Sequence, residues 1–165
     1  MSKAPEVCKA KYKFEDNEFD YSRGKIYKVT SKNTDKIFIG CTINSLENRI
    51  YNFEVDYENY LANKDYYVEV FEVMKHGDYS IELIENYSCS TGFELQKKEC
   101  EHIRKNRLIC VNSRLPRRNK QDHIDDVLNG LEDKFFECCK DYLCEDGIKK
   151  AKAESERIKR TYKAF

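Results

Sequence analysis

The chain carries no net charge: 30 lysines and arginines balance 30 acidic residues across 165 positions. Balanced charge does not by itself announce a nucleic-acid partner. There is no long apolar run, so neither a secretory leader nor a membrane span is expected, and a membrane is not an expected partner. None of the eight cysteines (8, 41, 89, 100, 110, 138, 139 and 144) forms a Cys-x-x-Cys pair. They read as reduced thiols of an intracellular protein, cytoplasmic or nuclear and not secreted. Cys138, Cys139 and Cys144 lie near His123 in sequence, but adjacent cysteines make a poor tetrahedral zinc clamp. No internal repeat and no glycine-rich phosphate loop is present.

What is present is charge sorted along the chain. Lys97 to Lys120 carries nine basic residues against Glu99 and Glu101, and Asp122 to Asp146 carries nine acidic against two basic. The basic block includes Lys98, Arg104, Lys105, Arg107, Arg114, Arg117 and Arg118, which are candidates to track nucleic-acid phosphates. A solvated helix face is the plain alternative. The length suits one domain with an appendage.

Residues 1–23 are weakly patterned and read as a loose arm. Lys25–Thr30 and Lys36–Gly40 read as two strands joined by the turn-forming Ser31–Asp35, an antiparallel hairpin. Asn44 is placed to cap a helix whose apolar face is Leu46, Ile50 and Phe53. Tyr67–His76 reads as a second helix, and GDYSIELIENY as a third strand. Thr91 and Glu94 form a capping box for a helix across 92–106, with Leu95 and Ile103 on its buried stripe. Ile124, Val127, Leu128, Leu131, Phe135, Cys138 and Tyr142 recur at helical spacing, an amphipathic helix that docks on the core or on a second copy of the chain. A charged helix ends the sequence.

Two charges break these stripes. Arg49 shares the face of Leu46 and Ile50, and Glu99 lies four residues from both Leu95 and Ile103. A charge on a core-facing stripe is costly unless it is paired or binds a ligand. Either the two pair with each other, or they line a pocket in which an acid holds a metal and an arginine holds a phosphate.

The phrases GKIYKV, FIGCT, LENR, ELQKKECEHIRK and CVNSRLPRR, in that order across 24–119, resemble the GIY-YIG nucleases, and most closely the versions found in large DNA viruses. The resemblance implies an α+β fold, a small three-stranded antiparallel sheet flanked by helices, with 120–165 as a helical extension. It implies cleavage of DNA at a single divalent cation, magnesium or manganese. By position it makes Tyr27 the residue that activates water and Arg49 the phosphate-stabilising arginine. It makes Glu99 the metal ligand and Asn112 the late motif asparagine. Gly40 becomes the glycine that lets DNA backbone or a helix approach. The second motif tyrosine falls on Phe38, the first motif glycine on Lys25, and Phe53 stands where relatives often carry His or Tyr. Tyr27, with an ordinary pKa of ~10, is expected to need a nearby cation to lower it, or to act through water. Cys41, beside Gly40, reads as packing. The alternatives are a catalytically silent nucleic-acid-binding module of the same fold, and an adaptor using the Ile124–Tyr142 face.

Overall fold

A computed structural model describes residues 19–63 and 66–163; most of the expected arm at 1–23 lies outside them. The frame is α+β. Strands β1 (Lys25–Ser31), β2 (Thr34–Thr42) and β3 (Tyr79–Asn86) form an antiparallel sheet with β1 in the centre. Helix α1 spans Leu46–Asn63, α2 Phe71–Met74 and α3 Gly92–Lys105. The extension holds α4 (Lys120–Leu128), α5 (Leu131–Cys139) and α6 (Glu145–Tyr162). No described helix is long and apolar enough to cross a membrane.

Side-chain alternation along β1 splits the core into two layers. Tyr27 and Val29 join Phe53 of α1 and Phe71, Val73 and Met74 of α2 on one face. Ile26 and Ile39 meet Leu95 and Ile103 of α3 on the other. Segment 109–112 closes the free edge of β2. The Ile37 amide donates to the Ile109 carbonyl at 2.9 Å, and the Val111 amide to the Ile37 carbonyl at 2.8 Å.

The hairpin forms where its composition puts it, but the link is Lys32-Asn33 alone rather than five residues. The polar residues at its ends are consumed by the turn. Ser31 Oγ accepts from the Asn33 amide and donates to the Gly77 carbonyl, while Asn33 Nδ2 donates to the His76 carbonyl. With those polar groups satisfied, Ser31 and Thr34 extend the ladder. Helix α1 starts one residue later than expected, because Ser45 rather than Asn44 accepts from the Asn48 amide. The expected helix at Tyr67–His76 shrinks to Phe71–Met74. The capping box of α3 is present in altered form: Thr91 accepts from the Glu94 amide, but Glu94 accepts in turn from Ser90.

The single amphipathic helix expected over Ile124–Tyr142 is two. Gly130 adopts φ +72°, a left-handed conformation that stops α4 and starts α5. Of the expected stripe, Ile124, Val127 and Phe135 are buried within the chain, whereas Cys138 is exposed and Cys139 takes the buried place beside it. The extension is bound by charge as well. Arg104 forks onto Asp126, with bonds of 2.9–3.1 Å, and meets Asp122 at 3.1 Å. Arg118 bridges Asp126 and Glu132 at 3.1 and 2.8 Å. Arg107, 4% exposed, stacks 3.6 Å above the Phe135 ring and reaches Glu132 at 3.4 Å.

Removing one member of such a buried network leaves an uncompensated charge, which typically costs about 3–5 kcal/mol. Glu132→Ala is expected to lower thermal stability by that order, read as a drop in Tm by circular dichroism. Glu137→Ala, at an exposed pair, is expected to leave Tm unchanged.

Candidate active site

Tyr27 lies on the central strand directly opposite Gly40. A Cβ at position 40 would stand 2.4 Å from Tyr27 Oη and 2.6 Å from Cζ. What Gly40 admits is therefore the Tyr27 ring, not a DNA backbone or a helix as expected. The ring lies over Gly40 of the neighbouring strand and is wholly buried.

The hydroxyl of Tyr27 accepts a 2.9 Å hydrogen bond from Arg49 Nε. The Arg49 guanidinium carbon sits 4.3 Å from the Phe53 ring centroid, one helical turn along α1. Phe53 is braced edge-on by Phe38 at 5.8 Å. Thus the two aromatic departures from the family pattern form the seat of the arginine. The seat uses only Nε and the π face. The terminal Nη atoms make no hydrogen bond to the described residues, and Arg49 forms no ion pair with Glu99.

Glu99 is carried by α3, whose Leu95 and Ile103 are buried against Ile26 and Ile39. That packing sets Glu99 over β2, beside the Cys41 thiol. Tyr27, Arg49 and Glu99, distant in sequence, thus form one electrostatically coupled cluster with Cys41 inside it. Cys41 was legible only as packing; its cross-strand place opposite Ile26 puts it under α3.

The electrostatics correct one expectation. Burial pushes Tyr27 up to about 12, outweighing the Arg49 charge that opposes it. Burial also raises Glu99 above its ordinary value of 4.5, against the opposing influence of the neighbouring Cys41 thiol and the Arg49 charge. Cys41 is raised by burial and then by Glu99, which makes it a poor thiolate.

Glu99 faces a cleft of about 630 Å³, lined by Phe38 and by Gln96, Asn112, Ser113 and Arg114. Residues Tyr66, Tyr67, Val68 and Glu69 ahead of α2, and Tyr142, Leu143 and Cys144 of the extension, complete it. Glu69 was not singled out by pattern; it accepts from the backbone amide and the hydroxyl of Ser113.

Asn112 lines the same cleft as Glu99, and its side chain is engaged with the backbone of β2. Its Nδ2 donates to the Ile39 carbonyl at 2.7 Å, and its Oδ1 accepts from the Ile39 amide at 2.9 Å. The side chain mimics a strand partner and holds β2 in place; Nδ2 is spent on the Ile39 carbonyl, and Oδ1 accepts from both the Ile39 amide and the Cys110 thiol. The expected phosphate-tracking residues also divide. Arg104, Arg107 and Arg118 are neutralised by the extension and do not form an open basic surface, because Asp122, Asp126 and Glu132 reach them first. Lys98 pairs with Glu85 and Glu101. Arg117 donates to Gln96 at 2.9 Å and lies 5.1 Å from the Phe93 ring. Lys105 and Arg114 are exposed, and Arg114 alone of the basic block lines the cleft.

Among the described residues no group of three or more His, Cys, Asp or Glu is arranged to hold a metal ion. A divalent cation here would rest on Glu99 with water and substrate oxygens, the habit of magnesium rather than of structural zinc. The chain matches no family model, no curated protein and no solved structure, so the family resemblance rests on the motif residues alone.

Two substitutions test this geometry. Gly40→Ala drives a methyl into a rigid ring and is expected to cost about 1–3 kcal/mol, measured as a lower urea midpoint with unchanged slope. For Glu99 the sign follows from linkage. A raised folded pKa means the native state holds a proton that the unfolded chain releases, so stability falls as pH rises from about 4.5 toward the folded value. Glu99→Gln is therefore expected to melt above the parent protein at pH 7, with the gap closing by pH 4. A gap independent of pH contradicts the burial of this charge.

Proposed function

We propose that the protein is a metal-dependent DNA endonuclease of the GIY-YIG type. The observation that carries the reading is the joint placement of Arg49 and Glu99. Two half-buried opposite charges are electrostatically coupled yet not paired, and each keeps donor or acceptor capacity unused. A structural ion pair would have closed that gap.

The roles follow from the contacts. The Arg49 Nη fork suits two phosphate oxygens, and its Nε bond to Tyr27 fixes its plane. Such a preset cation stabilises the charge that develops in phosphodiester cleavage. Magnesium bound at Glu99 would polarise the phosphate and assist the departing oxygen. Tyr27, with its pKa near 12, is protonated at neutral pH. Its role in the free protein is to orient Arg49, and accepting a proton from water requires further positive charge beside it. Asn112 holds the strand that bears Gly40 and Cys41.

The same buried Tyr27, together with the hydroxyl missing at Phe38, favours a second reading: a silent module that binds nucleic acid without cutting it. The two part in one assay. The nuclease reading expects DNA nicking that requires magnesium and falls by at least ~10²-fold in Arg49→Ala, and is lost in Glu99→Ala with circular dichroism unchanged. No cleavage of linear, flapped or branched DNA, and its appearance on Phe38→Tyr, establishes the silent module instead.

A further inference from the structure

The extension changes which form of DNA suits the cleft. A duplex-binding protein commonly neutralises ~6–10 phosphates, spread over two strands. The residues best placed in sequence to do so, Arg104, Arg107 and Arg118, are held by Asp122, Asp126 and Glu132. Arg114 is different. It is exposed, lines the cleft beside Glu99, and makes no hydrogen bond or ion pair with the described residues.

The cleft offers aromatic surface instead of a basic track. Tyr66 is 69% exposed and Tyr67 39% exposed, and both line it. Tyr67 is held rigid, its hydroxyl donating to Glu72 at 2.7 Å and its ring edge-on to Phe71 at 5.9 Å. Across the chain, Tyr142 of the extension lines the same cleft, fixed by a hydrogen bond from its hydroxyl to the Val111 carbonyl. The volume of about 630 Å³ falls in the range that holds small ligands. Proteins that hold unpaired strands stack the bases on exposed aromatic rings and track the backbone with positive charge; here the rings are Tyr66 and Tyr67 and the cation is Arg114.

We infer that the cleft takes an unpaired nucleic-acid strand, with Tyr66 and Tyr67 as stacking platforms for its bases and Arg114 as a phosphate contact leading toward Glu99. This deepens the nuclease reading and rests on it for the identity of the reacting bond. In a duplex the bases are paired and stacked on one another, so their faces are not free for these rings.

The test is binding of fluorescein-labelled oligothymidine and of a duplex of equal length to the full chain, in EDTA, followed by anisotropy over a salt series. The single strand is expected to bind at least ~tenfold tighter than the duplex, and Tyr66→Ala to weaken it by ~tenfold with the salt slope unchanged. Arg114→Gln is expected to reduce the slope of log affinity against log salt by about 0.7. Equal or tighter duplex binding, or strand binding indifferent to both substitutions, overturns the inference. Adding magnesium separates the two levels. Strand binding at these residues without any cleavage removes the nuclease reading and leaves the cleft assignment. Cleavage of duplex without strand preference does the reverse.

Discussion

The structure turns on how one half-buried guanidinium is held without a carboxylate. Taking Arg49 partly out of water costs free energy that an ion pair would ordinarily offset. Here the Tyr27 hydroxyl and the Phe53 ring do so instead, a combination of a charge-assisted hydrogen bond and a cation–π contact. Each supporting residue has its own prerequisite. The Tyr27 ring needs the bare backbone of Gly40 opposite it, and the Phe53 ring needs Phe38 at its edge. Strand β2 needs the Asn112 amide to stay in register with the segment that follows α3. The outcome is a cation whose terminal nitrogens remain unspent beside a desolvated carboxylate.

The extension is joined to this frame by interactions of a different kind. Its apolar contacts, Ile124 and Val127 with Ile158, form a small separate core, while its junction with α3 is an alternating set of arginines and carboxylates. Buried ion networks stabilise weakly in sum but are expensive to break singly, which makes the docked arrangement specific. Its consequence is a redistribution of charge. The basic block looks like a single surface in the sequence, yet three of its nine cations, Arg104, Arg107 and Arg118, are neutralised by the extension, and of the block only Arg114 opens on the cleft. The same docking brings Tyr142, Leu143 and Cys144 to the cleft wall, so stability and access to Glu99 are set by one segment.

The legible features were those fixed by local chemistry or by short periodicity. The hairpin follows from β-formers flanking a polar turn, and α3 from Thr91 with Glu94. The site emerged from residues that violated a stripe: Arg49 among Leu46 and Ile50, and Glu99 between Leu95 and Ile103. A violated pattern is where function is expected to show. What escaped was set by partners far away in the chain. Nothing local says that Asn112 will bond the Ile39 peptide, or that Asp126 will bind Arg104. Cys41 beneath Glu99 follows from strand register, which a one-residue shift would have reversed. The break at Asn129-Gly130 had a visible signal, since this pair marks turns, but the apolar repeat running through it masked the stop. Tyr27 shows the limit of reasoning from a single charge. A neighbouring cation argued for a lowered pKa, and complete burial, invisible in one dimension, overrode it.

The account depends on Glu99 being the anchor of a divalent cation within reach of the unspent Arg49 nitrogens. The most direct measurement is anomalous diffraction from crystals grown with manganese. The account predicts one strong peak at the Glu99 carboxylate, on the cleft side, with Arg49 still seated on Tyr27 and Phe53. Crystals with manganese bound elsewhere and none at Glu99, or with Arg49 swung over to pair with Glu99 directly, would contradict it.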